Sequence, residues 1–136
     1  MEIEHLRKAN PYDLSGGEQQ RLALAKVMVS NPDILLLDEP TKGLDPFFKQ
    51  TLGRILRSLC KENKTIFMVS HDIEFCAEFG DRCSMFFDGE IATSGSAKEF
   101  FSGNNFYTTV ENKLTRKWCE GIITGEEART WIRSLL

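Results

Sequence analysis

The feature that most constrains this chain is an apolar run that ends in two carboxylates and a proline, Ile34–Pro40 (ILLLDEP). Its four consecutive apolar residues predict a parallel β-strand in a sheet that is covered on both faces. In such sheets, ligands bind at the carboxyl ends of the strands. We therefore expect Asp38 and Glu39 to lie at a chemical site. The alternative is that both are solvated charges that cap the following turn.

Two adjacent carboxylates at the end of a strand suit the chemistry of metal-bound phosphate. Neighbouring side chains of a strand point in opposite directions, so Asp38 can hold Mg²⁺ through water while Glu39 polarises an attacking water. A second apolar run, Thr65–Val69, is followed by Ser70 and His71. Because parallel strands end at the same edge of a sheet, we expect His71 at this edge too.

A serine followed by two glycines, upstream of the first strand, predicts a helix that begins close to a ligand. Ser15 is a suitable N-cap for a helix over Ser15–Ser30. The apolar face of this helix is predicted to include Leu22, Ala25 and Val29. Gly16 and Gly17 would let the backbone approach a ligand, and the free N–H groups of a helix N-terminus favour phosphate. The alternative is an ordinary capped helix after a loop.

In this order and spacing, the segments resemble the ATP-binding cassette (ABC) ATPase family. The segment Leu14–Gln19 resembles the signature sequence, and Ile34–Glu39 resembles Walker B with its catalytic glutamate. Gly43–Asp45 resembles the D-loop, and His71 resembles the switch histidine. The resemblance covers Pro11–Thr115 and implies an α/β, P-loop NTPase fold: a parallel-strand core with helices, then a β-hairpin and a helical tail.

A narrower likeness points to the ATPase subunits of energy-coupling-factor importers, which take up vitamins or transition-metal ions such as cobalt. It rests on three stretches of sequence. They are Pro11–Asp13, Pro40–Asp45 and Phe100–Thr109. The transported solute is not encoded in them, because in this family separate membrane subunits choose it.

The resemblance also implies a role for each residue at the strand ends. In a sandwich of two ATPase domains around two ATP molecules, Asp38 would help to hold Mg²⁺. Glu39 would act as the general base on the attacking water, and His71 would contact the γ-phosphate. ATP and Mg²⁺ are thus the expected substrate and cofactor of the complete protein.

The signature residues are expected to act on the opposite subunit of that sandwich. Ser15, Gly16, Gly17 and Glu18 would reach the γ-phosphate of the ATP bound there, and Asp45 would lie at the subunit junction. Glu18 stands where the family more often has glutamine. Hydrolysis would therefore depend on closure of the dimer.

The sequence has no P-loop, G-x-x-x-x-G-K-[ST], because none of its ten glycines has another glycine five residues on. In the family this loop precedes the signature. We therefore expect residues 1–115 to be the carboxy-terminal portion of an ABC ATPase domain, and residues 116–136 to be a helical tail. The backbone N–H groups and the lysine of a P-loop form the cradle for the β- and γ-phosphates of ATP. Without this phosphate cradle, the chain alone is expected to bind ATP weakly and to be inactive. Uncovered sheet edges are expected to make it self-associate.

The rest of the sequence predicts helices that alternate with strands, which is an α/β pattern. Residues 1–13 are predicted to be the remnant of a longer helical region. A helix with one apolar face should begin after the cap Asp45, and Asp88-Gly89 predicts a two-residue hairpin turn. Thr124 begins a capping box before a final helix. The narrow apolar stripe of that helix is expected to pack on its own domain, with a dimer contact as the alternative.

The composition of the chain limits the classes of molecule that it is expected to bind. The net charge of −3 argues against nucleic acid as the main partner. The four cysteines form no C-x-x-C pair, which argues against a zinc site. From the resemblance we expect a cytoplasmic protein, peripheral at the inner face of the cell membrane, with a second ABC ATPase domain and transmembrane transporter subunits as partners. The alternatives are an ABC ATPase without a transporter and a non-enzymatic half-domain that docks on a complete subunit.

Overall fold

The computed structural model describes residues 3–103 and 107–135 of the chain. They form two compact units, one that ends at His71 and one that begins at Asp72. Every candidate site residue named above belongs to the first unit. The division of the chain after residue 115 stays a prediction. In the two described ranges, no helix combines the length and the apolar character needed to cross a membrane.

The first unit is built on two parallel strands. Strand β1 (Ile34–Asp38) pairs with β2 (Thr65–Val69) in register, from Ile34 opposite Thr65 to Asp38 opposite Val69. The predicted parallel pairing is confirmed. Because both strands run in the same direction, the residues that follow Asp38 and Val69 emerge at one edge of the sheet.

The prediction that β1 is buried on both faces is wrong for the part of the chain that the structure describes. Leu35 and Leu37 are 2% and 9% exposed, whereas Leu36 is 77% exposed. Phe67 and Val69 of β2 are exposed as well. Helix α2 (Pro46–Lys61) packs on the sheet, and an open apolar face remains on the other side.

Helix α2 follows its sequence pattern closely. The carboxylate of Asp45 caps it by accepting a hydrogen bond from the N–H of Phe48, at 2.9 Å, and Pro46 is its first residue. The predicted apolar face is confirmed, because its buried side chains are Phe48, Leu52 and Leu56. This face supplies much of the buried apolar surface of the first unit.

Helix α1 (Gly16–Val29) has the predicted ends, with Ser15 as its N-cap, but not the predicted apolar face. Its buried residue is Leu24, whereas Val29 is 86% exposed. That the residues before it are the remnant of a longer helical region stays a prediction. Residues Glu4–Leu6 and Pro11–Asp13 form two short 3₁₀ turns, and a proline inside the segment works against a continuous helix.

The second unit contains the predicted hairpin. Strands β3 (Arg82–Phe87) and β4 (Glu90–Ser96) pair antiparallel around Asp88 and Gly89, whose φ angles of 51° and 82° are those of a type I′ turn. Both strands are longer than their apolar runs predicted. A register shift after Met85 places an extra residue on β4 and bends the hairpin.

The described residues of the second unit also form helices. They are α3 (Ile73–Phe79), α4 (Ala97–Gly103), α5 (Val110–Thr115) and α6 (Gly125–Ser134). Helix α4 contacts both strands of the hairpin. A core cluster joins α3, α4 and the segment before α6, and consists of Ala77, Ala97, Phe101 and Ile123. The capping box of Thr124 and Glu127 is confirmed. The expected packing of α6 on its own domain is only partial, because Ile132 and Leu135 are 51% and 66% exposed.

Candidate functional site

The candidate residues at the strand ends lie side by side. The N–H of Glu39 donates to the carbonyl of Val69 at 2.8 Å, which extends the strand pairing by one step beyond Asp38. This places Glu39 beside Ser70 and His71. Its Oε2 accepts a hydrogen bond from the backbone N–H of His71 at 3.3 Å and one from the hydroxyl of Ser70 at 3.5 Å.

Glu39 has a backbone conformation that is unusual for its residue type. The non-glycine residues with positive φ in the described ranges are Asn31, Glu39, Asn63 and Asp88. Asparagine and aspartate tolerate this left-handed region, whereas a glutamate at φ 46° is strained. The hydrogen bonds to Val69 and from the N–H of Lys42 to the Glu39 carbonyl hold the conformation. Strain of this kind is typical of functional positions.

The two oxygens of the Glu39 carboxylate have different surroundings. Oε2 carries the hydrogen bonds described above, whereas Oε1 is shielded from solvent and has no hydrogen-bond partner among the described residues. Nε2 of His71 lies 3.6 Å from Oε1, on an imidazole that is 98% exposed. A shielded carboxylate oxygen without a donor is energetically costly. It is also the atom that can accept a proton or a hydrogen bond from a ligand.

At the start of α1, Ser15 and Glu18 form a capping box. The Oε2 of Glu18 accepts from the N–H of Ser15 at 2.9 Å and from its hydroxyl at 2.7 Å, and the Ser15 oxygen accepts from the Glu18 N–H. These bonds from Ser15 lower the pKa of Glu18. The Ser15 hydroxyl proton is therefore engaged. The N–H groups of Gly16 and Gly17, at the first two helical positions, have no acceptor within the helix.

One face of α1 contacts the segment that follows Glu39. A Cβ atom added to Gly17 would lie 3.0 Å from the carbonyl oxygen of Gly43. Gln20 donates from Nε2 to the carbonyl of Pro40, at 3.4 Å. The guanidinium carbon of Arg21 lies 4.9 Å from the ring centroid of Phe48. Gln20 and Arg21 were not predicted from the sequence, although both lie on the same helical face as Gly17.

The predicted site residues thus have two different sets of contacts. The hydrogen bonds of Ser15 and Glu18 are formed with each other, whereas Glu39 is bonded to the residues that follow β2. Asp45 accepts the N–H of Phe48 as a helix cap. Ser70 is a further neighbour of Glu39 that the sequence analysis missed, and its position directly after β2 was the available signal.

The described residues fit a magnesium ion only with additional ligands. They contain no group of three histidine, cysteine, aspartate or glutamate side chains that could hold a metal. Asp38 offers one exposed carboxylate at the end of β1. One carboxylate fits Mg²⁺, which usually keeps several waters and binds substrate phosphates for the rest of its shell.

Comparisons with known proteins agree with the motif order. A family model described as "ABC transporter" matches residues 1–42. A putative ABC transporter ATP-binding protein of Bacillus thuringiensis is 52% identical over 122 residues, which are 90% of this chain and 22% of that protein. The energy-coupling factor transporter ATP-binding protein EcfA2 of Mesomycoplasma hyopneumoniae is 39% identical over 77% of this chain and 34% of its own length.

A solved structure shares the fold. It is the dimeric, post-hydrolysis state of the ATP-binding cassette MJ0796 bound to ADP and Pi, with a TM-score of 0.65 and 35% identity over 69% of this chain and 40% of that chain. The chain belongs to the family of ABC transporter ATP-binding proteins. The predicted ABC family and its α/β, P-loop NTPase fold are both confirmed.

The match to the ABC family is partial in length. The chain spans 22% of the Bacillus relative and 34% of EcfA2. Both values fit the expectation that this chain is one portion of a larger ABC protein. For the narrower likeness, Asn104, Asn105 and Phe106 of the stretch Phe100–Thr109 lie outside the described residues.

Proposed function

We propose that this chain supplies the catalytic carboxylate and the signature helix of an ATP-hydrolysing subunit in an ABC transporter. The observation that carries this proposal is the state of Glu39. Its backbone is held in a strained conformation, one carboxylate oxygen is fixed by the N–H of His71, and the other is shielded and unpartnered. A general base needs such a fixed carboxylate with one oxygen left for the reacting water.

The reaction is in-line transfer of the γ-phosphoryl group to water. Oε1 of Glu39 accepts a proton from the water as the water oxygen bonds to the γ-phosphorus. The bond from the γ-phosphorus to the bridging oxygen of ADP then breaks, which gives ADP and phosphate. The exposed imidazole of His71, 3.6 Å from this oxygen, is placed to bond the γ-phosphate or the water.

Asp38 is the residue that would hold Mg²⁺, through water, at the end of β1. Magnesium would neutralise charge on the β- and γ-phosphates. The phosphate cradle itself is not formed by this sequence, which has no P-loop motif. We therefore propose that the 136 residues alone bind ATP weakly and are inactive.

The signature helix serves the ATP of a second ABC ATPase domain. The N–H groups of Gly16 and Gly17 and the positive end of the α1 dipole would face its γ-phosphate. Ser15 would exchange its hydrogen bond to Glu18 for one to the phosphate, and Asp45 would lie at the junction between the two domains. The dimeric ATP-binding cassette among the similar structures supports this arrangement.

The transporter class is proposed to be an energy-coupling-factor importer of a vitamin or of a transition-metal ion such as cobalt. The similarity to EcfA2 supports this class. Residues 1–115 then belong to the ATPase domain, and residues 116–136 form its tail. The subunit would be cytoplasmic and peripheral at the inner face of the membrane, bound to transmembrane transporter subunits.

The test is Glu39→Gln in the full-length protein that contains this chain. Glutamine keeps the shape of the side chain but cannot accept the proton. We expect ATP binding to persist and the hydrolysis rate to fall roughly 10²- to 10⁴-fold. Glu62→Gln, at the exposed C-terminal end of α2, is the matched control and should hydrolyse ATP at the wild-type rate. Wild-type hydrolysis by Glu39→Gln would overturn the proposal.

A further inference from the structure

The face of α1 that contacts the segment after Glu39 is continuous. Gly17, Gln20, Arg21 and Leu24 are spaced i, i+3, i+4 and i+7, so they lie along one side of the helix. Leu24, at the far end of this face, is 4% exposed. The helix is therefore held along two turns, beginning at its second residue.

The segment that this face contacts carries two candidate site residues. Pro40, whose carbonyl accepts the hydrogen bond from Gln20, directly follows Glu39. Phe48, under the guanidinium group of Arg21, donates its N–H to the carboxylate of Asp45. The contacts of α1 thus reach the residue that follows the proposed base and the helix residue that is bonded to the proposed junction residue.

Arginine at position 21 is not the residue that packing alone would favour. Its Nε is shielded from solvent and has no hydrogen-bond partner in the part of the chain that the structure describes. An apolar side chain of similar length would cover the Phe48 ring, which is 2% exposed, without burying an unpaired donor. What arginine adds is a planar cation over the ring, which favours one orientation of the helix over α2.

We infer that Gln20 and Arg21 are positioning residues that hold the signature end of α1 in a fixed orientation relative to Glu39 and Asp45. This inference rests on the proposed function. Neither residue touches the reacting atoms. Gln20 contacts Pro40, next to the base, and Arg21 contacts Phe48, which donates its N–H to Asp45, so a small rotation of α1 displaces the N–H groups of Gly16 and Gly17. Misplacement of such groups by about 1 Å is enough to slow a reaction roughly 100-fold.

The test uses Arg21→Met in the full-length protein, with hydrolysis measured across ATP concentrations. Methionine keeps the packing on Phe48 and removes the planar cation. We expect kcat to fall roughly 10- to 100-fold while KM for ATP stays within about twofold, because the proposed effect is on orientation and not on binding of the subunit's own nucleotide. The melting temperature should stay within about 2 °C of wild type, or rise.

Three further variants separate positioning from stability. Arg21→Lys keeps the cation without the plane and should recover part of the lost kcat. Gln20→Leu removes the hydrogen bond to Pro40 and should lower kcat with KM unchanged. Lys26→Met, an exposed residue of the same helix, is the control and should match wild type in both constants.

The outcomes distinguish this inference from the proposed function. A wild-type kcat in Arg21→Met, in a protein where Glu39→Gln abolishes hydrolysis, overturns the positioning role alone. A fall in kcat that parallels a fall in melting temperature, and that cooling restores, also overturns it. If Glu39→Gln hydrolyses ATP normally, it is the proposed function that fails.

Discussion

Nε2 of His71 lies 3.6 Å from Oε1 of Glu39, and it belongs to an imidazole that is almost entirely exposed. The imidazole therefore contributes little to folding, although it borders the one oxygen that the proposed base has free. We expect His71→Ala to lower ATP hydrolysis by the full-length protein roughly 10²-fold or more. Its free energy of unfolding should stay within about 0.5 kcal/mol of wild type, as for other surface substitutions.

His5→Ala is the matched control for this variant. His5 is also exposed, and its Nε2 lies 3.5 Å from a carboxylate oxygen of Glu18, not of Glu39. Hydrolysis by His5→Ala should equal that of wild type. A His71→Ala protein with normal activity would remove His71 from the mechanism, and one with a lowered melting temperature would show a structural role that its exposure does not predict.

The two signature glycines are expected to differ in their tolerance of alanine. A Cβ atom at Gly17 would meet the carbonyl oxygen of Gly43 at 3.0 Å, whereas one at Gly16 would meet nothing within 4 Å. Gly17→Ala should destabilise the protein by about 1 kcal/mol through overpacking. Gly16→Ala should be neutral, or should stabilise by up to about 1 kcal/mol through helix propensity.

Denaturant unfolding of the two alanine variants measures this difference. The slope m is the change in the free energy of unfolding with denaturant concentration. Where a variant has the same m as wild type, the shift in its denaturation midpoint reports the change in stability. Equal free energies of unfolding for Gly16→Ala and Gly17→Ala would mean that the contact between α1 and Gly43 does not constrain the helix.

In the first unit, the sequence predicted well those helices and strands that a single local pattern determines. The apolar run of β1, the cap at Asp45 and the apolar face of α2 are all local signals. The buried face of α1 was mispredicted because three apolar residues, Leu22, Ala25 and Val29, indicated one side of the helix, whereas Leu24 lies on the side that is buried. Arg21 and Gln20 instead set the contact face, and no rule of apolar periodicity selects polar residues for that role.

The candidate site was only partly visible in the sequence. Adjacent strands and motif order predicted that Asp38, Glu39 and His71 lie at one edge. The positive φ of Glu39 and the shielding of its Oε1 depend on hydrogen bonds to Val69 and to the backbone of His71. Those partners are some thirty positions away in the sequence, so no local pattern reports them.

Glu127 in the second unit gives a prediction of pH dependence. Burial raises the pKa of its carboxyl, but hydrogen bonds from the Ile123 N–H and from Lys98 outweigh it, and the net pKa is lowered from 4.5. A group whose pKa is lowered by folding stabilises the fold above its unfolded pKa and loses that contribution as the pH falls through its folded pKa. The carboxylate of Glu127 therefore loses its contribution to stability below about pH 4.5.

Glu127→Gln isolates this contribution, because glutamine resembles the protonated acid. At pH 7 the variant should be less stable than wild type by about 1 kcal/mol or less, and the difference should vanish as the pH falls below the folded pKa. Glu126→Gln is the control, since its carboxylate lies outside the capping box. Thermal unfolding from pH 3 to pH 7 measures both. A difference that persists unchanged at pH 3 would contradict the assignment.

The open face of the β1–β2 sheet predicts self-association of the 136-residue chain. Leu36 and Phe67 are 77% and 63% exposed there, and they are flanked by Ile34 and Val69, which are 59% and 65% exposed. An apolar patch of this kind drives association between copies. We expect the chain to sediment above its monomer mass of 15.5 kDa at high concentration.

Leu36→Lys tests whether this face is responsible. A lysine there places a charge at the centre of the patch, so it should shift the chain toward monomer without disturbing the buried side of β1. Leu114→Lys is the matched control, because Leu114 is 65% exposed on α5 in the second unit. Sedimentation of both variants across concentrations decides the question. Equal effects of the two lysines would mean that association is driven by general surface hydrophobicity, and a wild-type chain that stays monomeric would show that the open sheet face does not associate.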